Sequence, residues 1–183
     1  MRKRIRLVFS GSGGQGVITA AIILAEAAVI HEGMNATQSQ SYGAAARGGA
    51  TKSDIILSHD EIDFPEVTQP NILVCLTQEA YTSFSSIIRP GGFLLSDSRF
   101  VQQAKKVDAK QLELPIYEQV MEQIGKPIVF NIAVLGALVG VTGIIKPASL
   151  LAAIKARVPK DFVALNTEAF ELGIDMGADH SMR

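Results

Sequence analysis

The chain has 183 residues, 48% apolar and 19% charged, with 17 basic against 18 acidic side chains and a formal charge of −1. That length suits one domain with a self-sufficient core, the apolar content excludes a disordered chain, and the balanced charge argues against nucleic acid as a main partner. So few charges leave apolar surface on a monomer, which is expected to be buried against a partner.

Arg2, Lys3, Arg4 and Arg6 form the one local charge run and read as a solvated terminus before a buried strand, Ile5 to Phe9. Ser10 to Gly16 interrupts the apolar stretch that a signal peptide needs, so secretion is not expected. Between this strand and a helix over Val17 to His31 lies Gly11-Ser12-Gly13-Gly14-Gln15-Gly16, a G-x-G-x-x-G pattern. Glycines there permit a tight turn and close backbone approach, and the following helix presents unpaired N–H groups to an anion. Three readings stay open: a site for a phosphate-containing ligand, a close-packing loop or subunit contact, and a dinucleotide fold. The last needs a carboxylate about 20 residues on, and the next strand region, Asn35 to Ser39, has none. No Lys-Ser/Thr pair follows Gly16, which excludes an ATP-type P-loop. Gln15 has no packing reason to sit in the loop and is expected to make a side-chain contact.

The first helix is apolar nearly all round and ends at Gly33. After the short polar strand comes Ser39 to Ala50, where Tyr42 and Arg47 stand among small residues and Gly48-Gly49 follows. A guanidinium on such a backbone suits bidentate pairing with a phosphate or carboxylate, or a place in an interface. Thr51 to Leu57 reads as a strand, Asp60, Glu61 and Asp63 as a solvated turn, and Asn71 to Leu76 as a strand with Cys75 as a core hydrophobe. A helix from Gln78 to Ile88 stops at Arg89-Pro90-Gly91-Gly92, and a strand follows at Phe93 to Ser96. Asp97 just past it is expected to cap a turn or helix. The next segment is ambiguous until a helix over Ile116 to Ile124, stopped by Gly125.

Ile128 to Ile145 is eighteen residues without a charge and contains Gly136-x-x-x-Gly140, the spacing that packs helices closely in lipid. Asn131, Thr142 and the glycines, with Lys126-Pro127 and Lys146-Pro147 as brackets, favour a buried helix from about Asn131 over a membrane span. Pro147 opens a helix over Ala148 to Ala156, and Asn166 is expected to cap a last one to about Leu172, before Gly173. Strand and helix in alternation imply an α/β fold, a Rossmann-like three-layer sandwich with a mostly parallel sheet, as a single domain over residues 1–183. Ligands and partners of such sheets meet the loops after the strand C-ends.

Cys75 is alone, so the chain cannot build a disulfide, a cysteine-rich zinc site or an iron–sulfur cluster, and a reducing cytoplasm fits. His31, His59 and His180 lack metal-like spacing, and no residue set reads as catalytic.

Gly11 to Gly16 followed by Ser41-Tyr42-Gly43 and Arg47-Gly48-Gly49 resembles the gamma subunit of 2-oxoacid:ferredoxin oxidoreductases. Asp63-Phe64-Pro65, Thr77-Gln78-Glu79-Ala80-Tyr81, Pro90-Gly91-Gly92 before Ser96-Asp97-Ser98, Asn131 with Leu135-Gly136-Ala137, and Asn166 with Ala169 to Gly173 extend the resemblance over nearly the whole chain. Length and layout are most similar to the 2-oxoglutarate type. The family's usual Pro-Glu after Ser-Tyr-Gly is Ala44-Ala45 here, so any role of that glutamate is not carried over. The resemblance implies a subunit that is not catalytic alone, in a complex that converts a 2-oxoacid to acyl-coenzyme A and passes electrons to ferredoxin. Thiamine diphosphate is implied in alpha and beta partner subunits, and iron–sulfur clusters in beta or a small delta-type subunit. Gly11, Gly13, Gly14, Gln15, Gly16, Tyr42, Arg47, Gly48 and Gly49 are the expected contacts to coenzyme A phosphates or to those subunits. The beta subunit of indolepyruvate:ferredoxin oxidoreductase, a free Rossmann-like nucleotide-binding protein and a purely structural module are the alternatives.

Overall fold

A computed structural model describes residues 4–41, 49–103 and 107–182. Its elements are β1 (Ile5–Gly11), α1 (Val17–Glu32), β2 (Asn35–Ser41), β3 (Thr51–Ser58), β4 (Ile72–Cys75), α2 (Gln78–Phe84), β5 (Gly92–Asp97), β6 (Ala109–Leu114), α3 (Ile116–Gln123), α4 (Phe130–Thr142), α5 (Pro147–Arg157) and α6 (Val163–Ala178). Short 3₁₀ turns at Ser85–Ile87, Pro127–Val129 and Lys160–Phe162 lead out of α2 and into α4 and α6.

The strands form one sheet in the order β2-β3-β1-β4-β5-β6. β1, β4, β5 and β6 are parallel neighbours, while β3 runs antiparallel to both β1 and β2. Five strands therefore point one way and β3 alone returns, which is the mostly parallel sheet expected. Alternate residues of the strands face opposite layers. Leu7, Phe9, Ile55, Leu57, Val74 and Leu95 join α1 and α3 to α6 in the main core. Val8, Ile56, Leu73, Cys75 and Leu94 pack on the other face with Tyr81 of α2. Burial on both faces explains why β4 and β5 are continuous apolar runs. Cys75 sits in that second layer as a core hydrophobe, and burial pushes its thiol up to about 12.

α1 ends where expected: Gly33 adopts a left-handed φ of 64° and its N–H bonds to the Ala28 carbonyl. Glu32, the last residue of α1, accepts bonds from the Lys146 N–H (2.9 Å) and the Ser149 hydroxyl (2.7 Å), and so caps α5 from outside it. The Ser149 bond holds the Glu32 carboxyl below its ordinary range.

Three details differ from the sequence reading. β6 occupies the segment that had no clear pattern; its Lys110, Gln111 and Glu113 belong to a sheet edge rather than to an alternating buried face. α2 shortens at Phe84 and finishes as a 3₁₀ turn. The last helix is not capped by Asn166 and does not stop at Gly173. It begins at Val163 and runs through Gly173 to Ala178, with the Asn166 amide donating to the Phe162 carbonyl at 2.8 Å.

Gly173 is retained inside α6 because α4 leaves no room for a side chain. A Cβ there would stand 2.9 Å from the Ala137 nitrogen, and one at Gly136 would stand 2.9 Å from the Ile174 nitrogen. Gly140 and Gly177 repeat the arrangement one turn on, so the two backbones touch along the seam. The membrane-type spacing thus serves a close helix pair inside the domain, with α4 buried along nearly its whole length. Among the described residues no helix is long and apolar enough to cross a membrane.

Gly173→Ala should cost about 3 kcal/mol or more in denaturant unfolding, since overpacking here meets backbone that cannot swing aside. Asp175→Ala, one turn-face away on the exposed side, should stay within about 0.5 kcal/mol. Glu32→Gln should lower stability at neutral pH. Because the folded carboxyl titrates below its free value of 4.5, the stability it adds is present above that value and lost as pH falls through the folded pKa. The gap between variant and wild type should therefore close in acid.

Candidate functional site

The C-ends of β1, β4 and β5 lie at one end of the sheet, and the Gly11 to Gly16 loop rises from the first of them. Gln15 organises this loop from inside. Its Oε1 accepts the Ser12 N–H at 2.8 Å, and its Nε2 donates to the Leu76 carbonyl at 3.0 Å, across the end of β4. The side-chain contact expected of Gln15 is thus made within the chain. A Cβ on Gly11 would lie 2.5 Å from that same Oε1, with Val17 and Leu76 closing in at 3.0 and 3.2 Å, so a side chain there would displace the Gln15 amide from its bonds.

Gly16 caps α1 with a left-handed φ of 70°, and no side chain caps the helix N-terminus or places an acid in its first turn. Its carbonyl accepts a bond from the Asn131 amide at 3.3 Å, and a Cβ on Gly16 would fall 2.5 Å from that nitrogen. Asn131, a polar residue in the apolar run, is therefore buried at the start of α4 to meet the loop.

Between the loop, the turn before α4 and the α5–α6 junction opens a cavity of about 460 Å³. Gly14, Gly16 and Asn131 form its polar floor, and Ile128 and Phe162 form apolar lips that are 75% and 46% exposed. Arg157 lines one wall with its guanidinium held by Glu26 at 2.6 Å. A helix N-terminus beside apolar lips can accept an anionic group carried on an apolar chain. A larger cavity, about 600 Å³, lies at the opposite end of the sheet near Arg89, Gly91 and Lys110, away from the glycine loop.

Tyr42, Arg47 and Gly48 lie outside the described residues. The ends of their loop are placed: Ser41 pairs with Lys52, and Gly11 pairs with Thr51. The second loop thus leaves and re-enters the sheet beside the first, and a smaller recess of about 390 Å³ separates Thr51 from Gly13 and Gly14. Gly49 stands between the second loop and β3.

Asp97 is fully buried and acts as a cap, as expected. Its carboxylate accepts the Arg99 N–H at 2.9 Å and the Tyr117 N–H at 2.7 Å, fastening the turn after β5 to the start of α3. Burial raises its pKa, against the pull of those backbone N–H groups. Beneath it the rings of Phe100, Tyr117 and Phe130 meet edge to face. Asp54, unremarked in the sequence, is paired with Lys52 at 3.0 Å on the α2 face, and burial raises its carboxyl too. Among the described residues no group of His, Cys, Asp and Glu could hold a metal ion.

The profile of the pyruvate ferredoxin/flavodoxin oxidoreductases matches residues 6–176. The chain is 44% identical to the 2-oxoglutarate synthase subunit KorC of Methanocaldococcus jannaschii, over 98% of this chain and 96% of that one. It superposes with a TM-score of 0.89 on the gamma subunit of a keto/oxoacid ferredoxin oxidoreductase from Geobacter sulfurreducens, 40% identical, covering 97% and 98% of the two chains. A 2-oxoglutarate:ferredoxin oxidoreductase from Magnetococcus marinus shares the fold at 20% identity and a TM-score of 0.86, where 98% of this chain covers 32% of a longer one. The chain belongs to the pyruvate ferredoxin/flavodoxin oxidoreductase family.

Gly16→Ala should cost about 2–3 kcal/mol, combining left-handed strain with the collision against Asn131. In an Asn131→Ala background the cost should fall by about 1 kcal/mol, the coupling expected of residues in direct contact. Thermal or urea unfolding of the four proteins in the cycle measures it.

Proposed function

We propose that this family member is the gamma subunit of a multi-subunit 2-oxoacid:ferredoxin oxidoreductase that takes 2-oxoglutarate. The observation that carries the reading is 44% identity to a 2-oxoglutarate synthase subunit along almost the full length of both chains. The reaction joins the acyl group of the 2-oxoacid to the coenzyme A thiol, releases carbon dioxide, and passes two electrons to ferredoxin. Thiamine diphosphate supplies the carbanion-stabilising step, and iron–sulfur clusters carry the electrons.

This chain's own residues point to a supporting part. Its one cysteine is buried beside the Ser10 hydroxyl with its thiol pushed up to about 12, so it does not suit a cluster. Alpha and beta subunits, with or without a delta subunit, therefore hold the thiamine diphosphate and the clusters, and residues 1–183 form one gamma-type domain beside them in the cytoplasm. The uncapped start of α1 and the loop at Gly11, Gly13, Gly14 and Gly16 suit a phosphate of coenzyme A, while Ile128 and Phe162 suit the apolar arm that carries its thiol. Tyr42, Arg47, Gly48 and Gly49 are the further contacts proposed for coenzyme A or the catalytic subunits, with Gln15 holding the first loop in shape.

Co-expression with candidate alpha and beta chains should give one co-purifying complex with 2-oxoglutarate- and coenzyme A-dependent dye reduction. Omitting this chain should remove most of that activity; unchanged activity with no co-purification would reject the reading. Pyruvate outperforming 2-oxoglutarate would reject the substrate assignment alone. Arg47→Ala removes a charge-assisted contact of about 1.5–3 kcal/mol, so the KM for coenzyme A should rise roughly tenfold or more, or the complex should dissociate more readily. Wild-type behaviour in both would remove Arg47 from the site.

A further inference from the structure

We infer that the cavity at the N-ends of the parallel strands binds a monocarboxylate carried on an apolar chain, of the kind a medium-chain fatty acid presents. This is the hollow of about 600 Å³ that lies away from the glycine loop. Arg89 and Lys110 both line it, and both are exposed. Among the described residues no Asp or Glu lines it, and neither cation has an ion-pair partner. Two cations that border one hollow without a counter-charge leave a place for an anion.

The backbone fixes where both cations start. Arg89-Pro90-Gly91-Gly92 is a turn closed by the Gly92 N–H on the Arg89 carbonyl at 2.9 Å, with Gly91 third at a left-handed φ of 71°. Proline second and glycine third is the type II pattern. The Arg89 N–H bonds to the Pro70 carbonyl at 3.1 Å and the Gly91 N–H to the Asp108 carbonyl at 2.8 Å. The turn is thereby tied to the chain entering β4 and to the chain entering β6. On β6, Lys110 pairs in register with Phe93 of β5. Gln111 faces α2, where the Tyr81 hydroxyl donates to it at 2.8 Å, so Lys110 and Leu112 face the α4 layer. Glu113 alternates to the side of Gln111, away from the cavity. Asp108 lines a separate recess on the α2 side with Ser85 and Val107.

The rest of the lining decides what kind of anion fits. Ile5, Ile72, Phe93, Ile144 and Met182 supply apolar wall. The Asn71 side chain has its oxygen occupied by the Arg6 N–H at 2.8 Å, so what it has left for the cavity is a donor. The end of α4 also borders the hollow, through Thr142 and Gly143. Its negative pole amounts to about half a charge, which two cations outweigh. The Leu138, Val139 and Val141 carbonyls there already accept bonds from Thr142, Gly143 and Met182. A bare inorganic anion would meet the cations and leave the walls unused. An apolar chain headed by a carboxylate uses both.

Calorimetric titration of the full chain with sodium octanoate at low ionic strength should show saturable binding, one molecule per chain. Hexanoate should bind about tenfold more weakly for its two missing methylenes. The uncharged 1-octanol, which keeps the chain and lacks the carboxylate, should also bind more weakly than octanoate. Arg89→Gln and Lys110→Gln should each weaken octanoate about two- to fivefold, and the double variant should bind it no better than 1-octanol. Added salt should weaken octanoate in wild type and leave the double variant unchanged. Absence of saturable binding at millimolar octanoate would overturn the proposal, as would equal affinity in wild type and double variant. So would weakening by Phe162→Asp with the double variant unaffected, which would move the acid to the cavity beside the glycine loop. Every readout is binding to the chain itself, so a failure here leaves the oxidoreductase reading standing.

Discussion

Two pairs of glycines, Gly136 with Gly140 and Gly173 with Gly177, let the backbones of α4 and α6 touch, and the site at the strand C-ends is built from that contact. α4 delivers Asn131 to the Gly16 carbonyl and, through the turn ahead of it, sets Ile128 at the cavity lip. α6 delivers Asn166 and, from the turn before it, Phe162. Moving the two helices apart by the width of a methyl group would shift one wall of the cavity against the other. Dense packing transmits such a shift instead of absorbing it. The seam thus fixes a distance at the site although none of its glycines lies there.

The glycine loop is held by the same logic from the other side. A G-x-G-x-x-G turn invites a dinucleotide reading, yet three of the loop's four glycines answer to a local constraint, and only Gly13 has open space around it and no left-handed φ. Gly11 yields to the Gln15 amide, Gly16 to Asn131 and to its left-handed φ, and Gly14 to a left-handed φ of 87°. What remains after those constraints is the uncapped N-terminus of α1, which is chemistry for an anion but not for a ribose. The end of β2 bears no carboxylate, and β3 returns antiparallel between β1 and β2, so the neighbouring crevice is framed differently from a dinucleotide cleft. An uncapped helix N-terminus is chemistry that suits the phosphate-bearing group proposed above.

Most elements were legible in the sequence because burial on both faces writes itself as apolar runs, and because Gly33 and Gly125 stop their helices in left-handed conformations. The last helix was misread for the opposite reason. Gly173 carries the same letter as a helix stop, and only the neighbouring α4 backbone shows it to be a packing glycine. β6 lacked a signal because an edge strand with Lys110 and Glu113 needs no strict alternation. At the site, the glycine loop was visible as a local motif. Asn131, Arg157 and Phe162 were not, since their roles arise from contacts between residues more than a hundred positions apart in the chain. Asn131 did leave a trace as a polar residue amid eighteen uncharged ones.

The scarcity of charge that marked the composition can now be placed. Much of it is explained inside the fold, where α4 and the central strands are covered on all sides. The exposed remainder includes the lips at Ile128 and Phe162 and the α1 flank ending at Val29, with Ile30 67% exposed beside it, while Phe64 stands apart from both. The two differ in kind. The lips surround a concavity with a helix N-terminus at its floor, which suits a ligand with one charged end. The flank lies beside the uncharged strand β2, and the recess at its Val29 end is lined by Glu61 and Asp63, which disfavour an anion. Apolar lips around an uncapped helix N-terminus can discriminate among partners by charge as well as by apolar area, which scattered exposed apolar side chains cannot do.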